Sequence, residues 1–324
     1  MHRILIDTDP GVDDALAILL AMKSPEIRVE ALTTVSGNVY VDQATDNLLR
    51  ILGLLDLSEF PIVAKGEAQP LVKPLVKAEH VHGEDGLGNI SKLYMSDGNP
   101  RYPLAKCDIS QLSGVDLILE MVDRYPDELV LVALGPLTNI SKAIQKDREH
   151  MQKLKSIVLM GGVFSEYGNV TTTAEFNVFV DPHAAHDVFN SGVPVHIAPL
   201  DVTHQVALTG ERLNTEVQGR TDIISRFLKE STQACMEFYS EHVGFYGLHI
   251  HDALPIGMLT HPHFFQSVEA YVQVETEGNL TSGMTVADLR RERRIDNPNA
   301  SVCVEVDSDA FLNYFLNRIL HKQI

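Results

Sequence analysis

The sequence predicts an α/β protein: an open, mostly parallel sheet with helices on both faces, extended by a helical appendage and C-terminal strands. Two observations carry that prediction. Short runs rich in Val, Ile and Leu recur along the chain and read as strands buried on both faces. Between most of them lie stretches with helical spacing, and strand then helix, repeated, is the pattern of a parallel sheet. Strands are expected at "ILI" (4–6), "VEALTTV" (29–35), "PIVA" (61–64), "LVLVAL" (129–134), "SIVLM" (156–160) and "VPVHIAPL" (193–200). Helices are expected over about 13–22, 42–55, 113–124, 138–146 and 182–190. The segment 66–110 breaks the rhythm and is loop-like, rich in Gly, Lys and Pro. Long loops inside compact domains are more often functional than idle. From about 210 to 262 the pattern turns helical, and the tail adds "YVQVETEG" (271–278), "TSGMTVAD" (281–288), "SVCVEV" (301–306) and a helix near 308–321. "RRERR" at 290–294 reads as a solvated turn rather than an anion site. No repeat, low-complexity tract or linker divides the chain, so residues 1–324 read as one α/β domain.

Composition narrows the partners. Of the 324 residues 44% are hydrophobic and 22% charged, ordinary values for a chain with a sizeable core. Lys and Arg number 26 against 44 Asp and Glu, a formal charge of -18. Such a surface is repelled by nucleic-acid phosphates and anionic membranes. Small neutral or cationic ligands and metal cations are the natural partners. Three scattered cysteines (Cys107, Cys235, Cys303) indicate no disulfide framework and favour a reducing compartment. The first strand is expected by about residue 3, and no apolar run approaches the ~18 residues of a membrane span. The expectation is a soluble, cytoplasmic protein.

The most informative stretch is "ILIDTDPGVDDALAILL" (4–20), which puts Asp7, Asp9, Asp13 and Asp14 where a strand hands over to a helix. In open parallel sheets, ligands bind outside the carboxyl ends of the strands. Helix capping accounts for one or two of these acids, each worth roughly 0.3–1 kcal/mol against the macrodipole. Four sharing one site raise one another's pKa. A divalent cation removes the conflict, and hard oxygen ligands suit calcium or magnesium better than zinc. An EF-hand loop fails, because counting from Asp7 its sixth and twelfth positions hold Val12 and Ile18, and Pro10 interrupts it. A haloacid dehalogenase-type magnesium phosphatase also begins with Asp-x-Asp after its first strand. The chain has no Gly-Asp dipeptide for the later acidic motif such an enzyme often uses, and this reading stands as the alternative.

Other stretches carry chemistry of their own. "GLHIHDALPIG" (247–257) sets His251 beside Asp252; an isolated pair of this kind is usually structural, but a histidine is a natural proton donor at neutral pH. "HVHGEDG" (80–86) places His80 and His82 in the long loop, without partners at zinc spacing. A loop closing over a ligand and a plain exposed loop are both open for it. "GNVTTTAEFN" (168–177) offers Asn169, Glu175 and Asn177, and on an extended segment Glu175 and Asn177 would point to the same side. "VSGN" (35–38) puts Asn38 after a strand end, and "ALGPLTN" (133–139) breaks a strand at Gly-Pro, where a backbone carbonyl is freed.

Taken together these stretches resemble the inosine–uridine nucleoside hydrolase family. The likeness runs nearly end to end: "DTDPGVDDA" (7–15), "TTVSGN" (33–38), "HVHGEDG" (80–86), "LGPLTNI" (134–140), "VLMGG" (158–162), "GNVTTTAEFNVFVDPHAA" (168–185), "LDVTH" (200–204), "HD" (251–252) and "ETEGNLTSGMTVAD" (275–288). The resemblance implies calcium-dependent hydrolysis of the N-glycosidic bond of ribonucleosides to ribose and free base, in nucleoside salvage, by a homodimer or homotetramer. It implies Asp9, Asp14 and Asp252 as carboxylate ligands of Ca2+, with the Leu134 carbonyl. Asp9 would also be the base that deprotonates water, and His251 the proton donor to the departing base. Asp13, Asn38, Asn169, Glu175 and Asn177 would hold the ribose, with His82 near the base in a closing loop and Asp7 structural. The resemblance further implies that base preference depends on a variable region, here 235–249, where Tyr239, Phe245, Tyr246 and His249 are candidates. A calcium-stabilised nucleoside binder without catalysis is the reading from another class.

Overall fold

The computed structural model describes residues 1–290 and 297–321, so most of the expected turn at 290–294 lies outside the described residues. The strands are β1 (His2–Thr8), β2 (Ile27–Thr34), β3 (Ile62–Lys65), β4 (Leu129–Ala133), β5 (Ser156–Met160), β6 (Val195–Ala198), β7 (Ala207–Thr209), β8 (Gly247–His249), β9 (Phe265–Ala270), β10 (Gln273–Val274), β11 (Thr285–Val286) and β12 (Ala300–Val306). The helices of the first half are α1 (Val12–Met22), α2 (Val41–Leu52), α3 (Glu79–His82), α4 (Gly114–Arg124), α5 (Thr138–Lys146) and α6 (Arg148–Met151). Those of the second are α7 (Phe176–Val180), α8 (Pro182–Phe189), α9 (Leu200–Thr203), α10 (Gly210–Val217), α11 (Ile223–His242), α12 (Ala253–Thr260) and α13 (Ser308–Leu320).

Eight strands form one sheet in the order β3-β2-β1-β4-β5-β6-β12-β9, parallel except for β9, which pairs antiparallel with β12. The apolar runs are continuous because both faces are covered. In β1, Ile4 and Ile6 pack into one core with α1, α11 and α12, while Leu5 faces a second core with α4, α5 and α8. In β4, Val130 and Val132 face the first core and Leu129 and Leu131 the second. This period of two along fully buried strands is what the sequence pattern predicts.

The order reverses beside β1, where β2 lies on one side and β4 on the other, with Asp7 level with both Thr33 and Ala133. A crevice opens at such a switch point, outside the carboxyl ends of the strands. The loops after β1 and β4 are the acidic turn and the Gly135-Pro136 break.

Three local expectations change. The stretch 193–200 stops being a strand at Ala198, because Pro199 has no N–H to offer a ladder and Leu200 opens α9. The region 210–262 is not wholly helical: Gly247–His249 pairs antiparallel with Ala207–Thr209 and turns the chain back toward the sheet. The strand Phe265–Ala270 at the sheet edge has no apolar run to announce it, since Gln266, Ser267, Val268 and Glu269 are all exposed. Among the described residues no helix is long and apolar enough to cross a membrane.

Candidate active site

The acidic turn begins where β1 ends. Asp9 is fully buried; its Oδ2 accepts the Asn38 backbone N–H at 2.6 Å, and its Oδ1 is buried with no hydrogen-bond partner. Two glycines make room for it. A Cβ on Gly37 would lie 2.0 Å from Asp9 Oδ2, and one on Gly135 would lie 2.4 Å from Oδ1. Any other residue at either place would displace the carboxylate. Asp14, in the first turn of α1, accepts from the Thr8 hydroxyl, from the Gly11 N–H at 2.9 Å and from the Asn38 amide at 3.2 Å. The capping role is therefore real for Asp14. Asp13, in the same first turn, keeps its Oδ1 buried without a hydrogen bond.

Asp252 comes in from the turn before α12. Oxygens of Asp13, Asp14 and Asp252 lie within 4.8 Å of one another, all three residues being buried. Burial, the largest cause, raises Asp13 to about 6, and burial plus the charge of Asp13 raises Asp14 to about 6. Asp9 is pushed well above the usual carboxylate range by burial and then by Asp14, and Asp252 by burial and then by Asp13 and Asp14. Mutual repulsion and unpartnered carboxylate oxygens are what a bound cation would relieve. An all-oxygen donor set suits a hard divalent ion. By this test the residues fit a metal. The Leu134 carbonyl, the expected fourth ligand, accepts the Asn177 amide at 2.7 Å, which holds it in place with one lone pair still to offer.

A cavity of about 520 Å³ lies over these groups, bounded by Asp13, Asn38, Leu134, Glu175, Asn177 and Asp252 in its acidic part. Glu175 and Asn177 are not on an extended segment: Glu175 is the N-cap of α7 and Asn177 is inside it. Glu175 accepts the N–H groups of Asn177, Gly162 and Val178, which oppose but do not cancel the burial that lifts it to about 7. Both hydrogens of the Asn177 amide go to backbone carbonyls of Leu134 and Met160, so its oxygen is the atom it can offer a ligand. Asn169, exposed at the cavity rim, accepts the Phe176 N–H at 2.9 Å.

The other part of the cavity is aromatic. From α11 come Cys235, Phe238 and Tyr239, spaced as one helix face; β8 and its flanks bring Leu248, His249 and His251. His204, His249 and His251 form a cluster with ring centroids 5.1–5.6 Å apart. His82 ends α3 and accepts the Val12 N–H on Nδ1 at 3.2 Å; burial lowers it to about 4, and Asp13 lies 3.8 Å away. His251 is held on both ring nitrogens, with Thr203 Oγ1 2.8 Å from Nδ1 and the Tyr239 hydroxyl 3.3 Å from Nε2. Burial, and then His249, keeps it well below the usual histidine range.

With the geometry in view, known proteins decide the family. The model of the inosine-uridine preferring nucleoside hydrolases matches residues 4–313. The chain belongs to that family. It is 38% identical to the pyrimidine-specific ribonucleoside hydrolase RihA of Citrobacter koseri and 39% identical to that of Salmonella arizonae, each over 98% of this chain and 97% of the relative. Among solved structures, a plant nucleoside hydrolase superposes with a TM-score of 0.88 at 30% identity, covering 98% of this chain and 99% of that one. A purine-preferring ribonucleoside hydrolase from Gardnerella vaginalis gives 0.88 at 33% identity, covering 98% of each chain. The protein is an enzyme, a nucleoside hydrolase, with the α/β fold of its family.

Within this nucleoside hydrolase, Asp13, Asn38, His82, Leu134, Asn169, Glu175, Asn177, His251 and Asp252 all border one cavity, whereas Asp9 and Asp14 do not border it and accept hydrogen bonds from Asn38, which does. Asp7 stays apart, taking hydrogen bonds from Thr33 and Asn139. Of the candidates in 235–249, Tyr239 and His249 line the cavity. Phe245 backs them at 5.6 and 5.2 Å between ring centroids, and Tyr246 packs against Gly210 instead. Sequence reasoning missed His204, Cys235 and Phe238 as lining residues. The signal available was the i, i+3, i+4 spacing of 235, 238 and 239, which equally describes a helix facing a core.

Proposed function

We propose that the enzyme releases ribose and free base from ribonucleosides with a calcium ion held by Asp9, Asp14, Asp252 and the Leu134 carbonyl. The observation that carries this is the gathering of the buried Asp13, Asp14 and Asp252 carboxylates, of which Asp13 and Asp252 border the cavity, with Asp9 and Asp13 oxygens lacking partners. Calcium bound there would make a water more acidic and anchor two vicinal sugar hydroxyls.

The chain's own residues do the rest. Asp9, its pKa raised by burial, is the base that takes a proton from the attacking water. Asp13, Asn38, Asn169, Glu175 and the Asn177 oxygen hold ribose hydroxyls, so that the anomeric carbon faces that water. Breaking the N-glycosidic bond builds positive charge on the sugar, as in other glycosyl transfers, and the surrounding carboxylates stabilise it. His251, between Thr203 and Tyr239, assists the departing base as its acid, with His82 nearby.

The relatives at 38–39% identity are pyrimidine-specific enzymes by name, which favours uridine and cytidine as substrates and a place in nucleoside salvage. The structural relative at 33% is purine-preferring, so the ranking needs measurement. Ribose release from uridine, cytidine, inosine and adenosine is expected, fastest from a pyrimidine nucleoside. Release fastest from inosine would overturn the pyrimidine assignment. No release from any of the four would leave the silent binder. Family membership disfavours the magnesium phosphatase, which predicts phosphate release from phosphoesters instead.

A further inference from the structure

The stretch LDVTH (200–204) supplies the partner of one ring nitrogen of His251. Thr203 is fully buried at the end of α9, its hydroxyl 2.8 Å from His251 Nδ1. In a helix a threonine hydroxyl commonly bonds the carbonyl four residues back. Here that carbonyl belongs to Pro199, and it already accepts the N–H groups of Val202 and Thr203, both at 3.1 Å. Among the described residues the Thr203 hydroxyl has no other hydrogen-bond partner than His251 Nδ1.

A buried hydroxyl hydrogen without an acceptor costs free energy. Thr203 is fully buried, so its hydrogen needs the bare Nδ1 lone pair, whereas Tyr239 is only partly buried at the cavity and can accept from Nε2 while turning its own hydrogen to the cavity. An uncharged imidazole then carries its single proton on Nε2. That nitrogen lies on the cavity side, 3.3 Å from the Tyr239 hydroxyl. The opposite tautomer would leave the Thr203 hydrogen unsatisfied and present a lone pair, not a proton, to the leaving group.

We propose that Thr203 is a positioning residue: by donating to Nδ1 it fixes His251 in the tautomer whose Nε2–H points at the departing base. This rests on the reading of His251 as the group that assists the departing base, and it replaces proton donation by a hydrogen bond from a neutral ring. No covalent step is added. As the N-glycosidic bond breaks, its electron pair passes to the base, and the Nε2–H hydrogen-bonds the base atom that takes up the charge. The proton stays on Nε2, the ring stays neutral, and the released base takes its proton from solvent. A neutral imidazole serves as electrophile in this way in triosephosphate isomerase. Losing the partner that fixes a histidine's tautomer can cost as much as a catalytic group.

The test compares two leaving groups. A nucleoside base needs assistance, whereas p-nitrophenolate departs from p-nitrophenyl β-D-ribofuranoside without it. For Thr203→Val, kcat/KM on uridine and inosine should fall about ten- to a hundredfold, with the nitrophenyl riboside unchanged. Thr203→Ser, which keeps the hydroxyl, should restore the nucleoside rate. His251→Ala should show the same selective loss. If it does and Thr203→Val loses both substrates equally, or neither, the Thr203 proposal is overturned while His251 stands. If His251→Ala shows no selective loss, the assignment of His251 itself fails, and the proposal with it. Ring ¹⁵N spectra of the wild type, with the His251 signals assigned through His251→Ala, should show a protonated Nε2; a protonated Nδ1 contradicts the proposal without reference to rate.

Discussion

The acidic part of the cavity and its aromatic part use different kinds of residue on different supports. The acids stand at strand ends and helix starts: Asp9 after β1, Asp13 and Asp14 opening α1, Asp252 just before α12. Asp14 is fixed by Thr8, Gly11 and Asn38 and Asp9 by Asn38, and the absence of side chains at Gly37 and Gly135 leaves room for Asp9. The aromatic part is presented by one face of α11, by the short β7–β8 pair and by α3 inside the long loop. Its rings also touch one another. Tyr239 packs edge-on against Phe238, Phe245 and His249. On the proposed roles, bond breaking and base selection are separable. The acids proposed to act near the sugar stand at strand ends and helix starts around the main sheet, while the groups proposed for base contact stand on elements outside that sheet.

The largest effect that sharpens this division comes from Asp9→Asn, which keeps shape and removes the base. We expect kcat to fall about 10²–10⁴-fold, by a similar factor for uridine and inosine. A loss confined to one base would break the separation.

Next in size is the effect of calcium on stability, which depends on pH. Asp13 and Asp14 sit at about 6 in the folded, metal-free chain against an ordinary 3.8. Between those values the folded chain holds protons that the unfolded chain has released. Metal-free stability therefore falls as pH rises through this window. Calcium competes with those protons, so the rise in Tm on adding it should be larger at pH 7.5 than at pH 5. A rise independent of pH, followed by thermal unfolding, would remove these carboxylates from the site. Removing an aromatic-part group should not alter it.

The smallest effect belongs to Tyr239→Phe. Loss of one hydroxyl should change the uridine-to-inosine ratio of kcat/KM by about two- to tenfold, leaving the calcium-dependent Tm rise intact. An unchanged ratio would place Tyr239 outside base selection.

The two parts also differ in how far the sequence reveals them. Four acids in eight positions cannot be explained by packing or by one cap, so their chemistry is visible at once. Continuous apolar strands gave the parallel sheet for the same reason: few other arrangements accept them. Cys235, Phe238 and Tyr239 carry no such signal, because a helix face of this kind is equally at home in a core. His204 and Thr203 are single polar residues after a strand, and only the approach of His251 from 48 positions away gives Thr203 its meaning. Glu175 and Asn177 were legible as cavity groups but not as cap and helix, since a five-residue helix leaves too short a period to read.

Calcium dependence is decided by ribose release from uridine by the intact enzyme, before chelation, after exhaustive chelation, and after calcium is added back. Release that disappears with the metal and returns with calcium is the predicted result. Undiminished release from protein shown by elemental analysis to hold far less than one divalent ion per chain would contradict it.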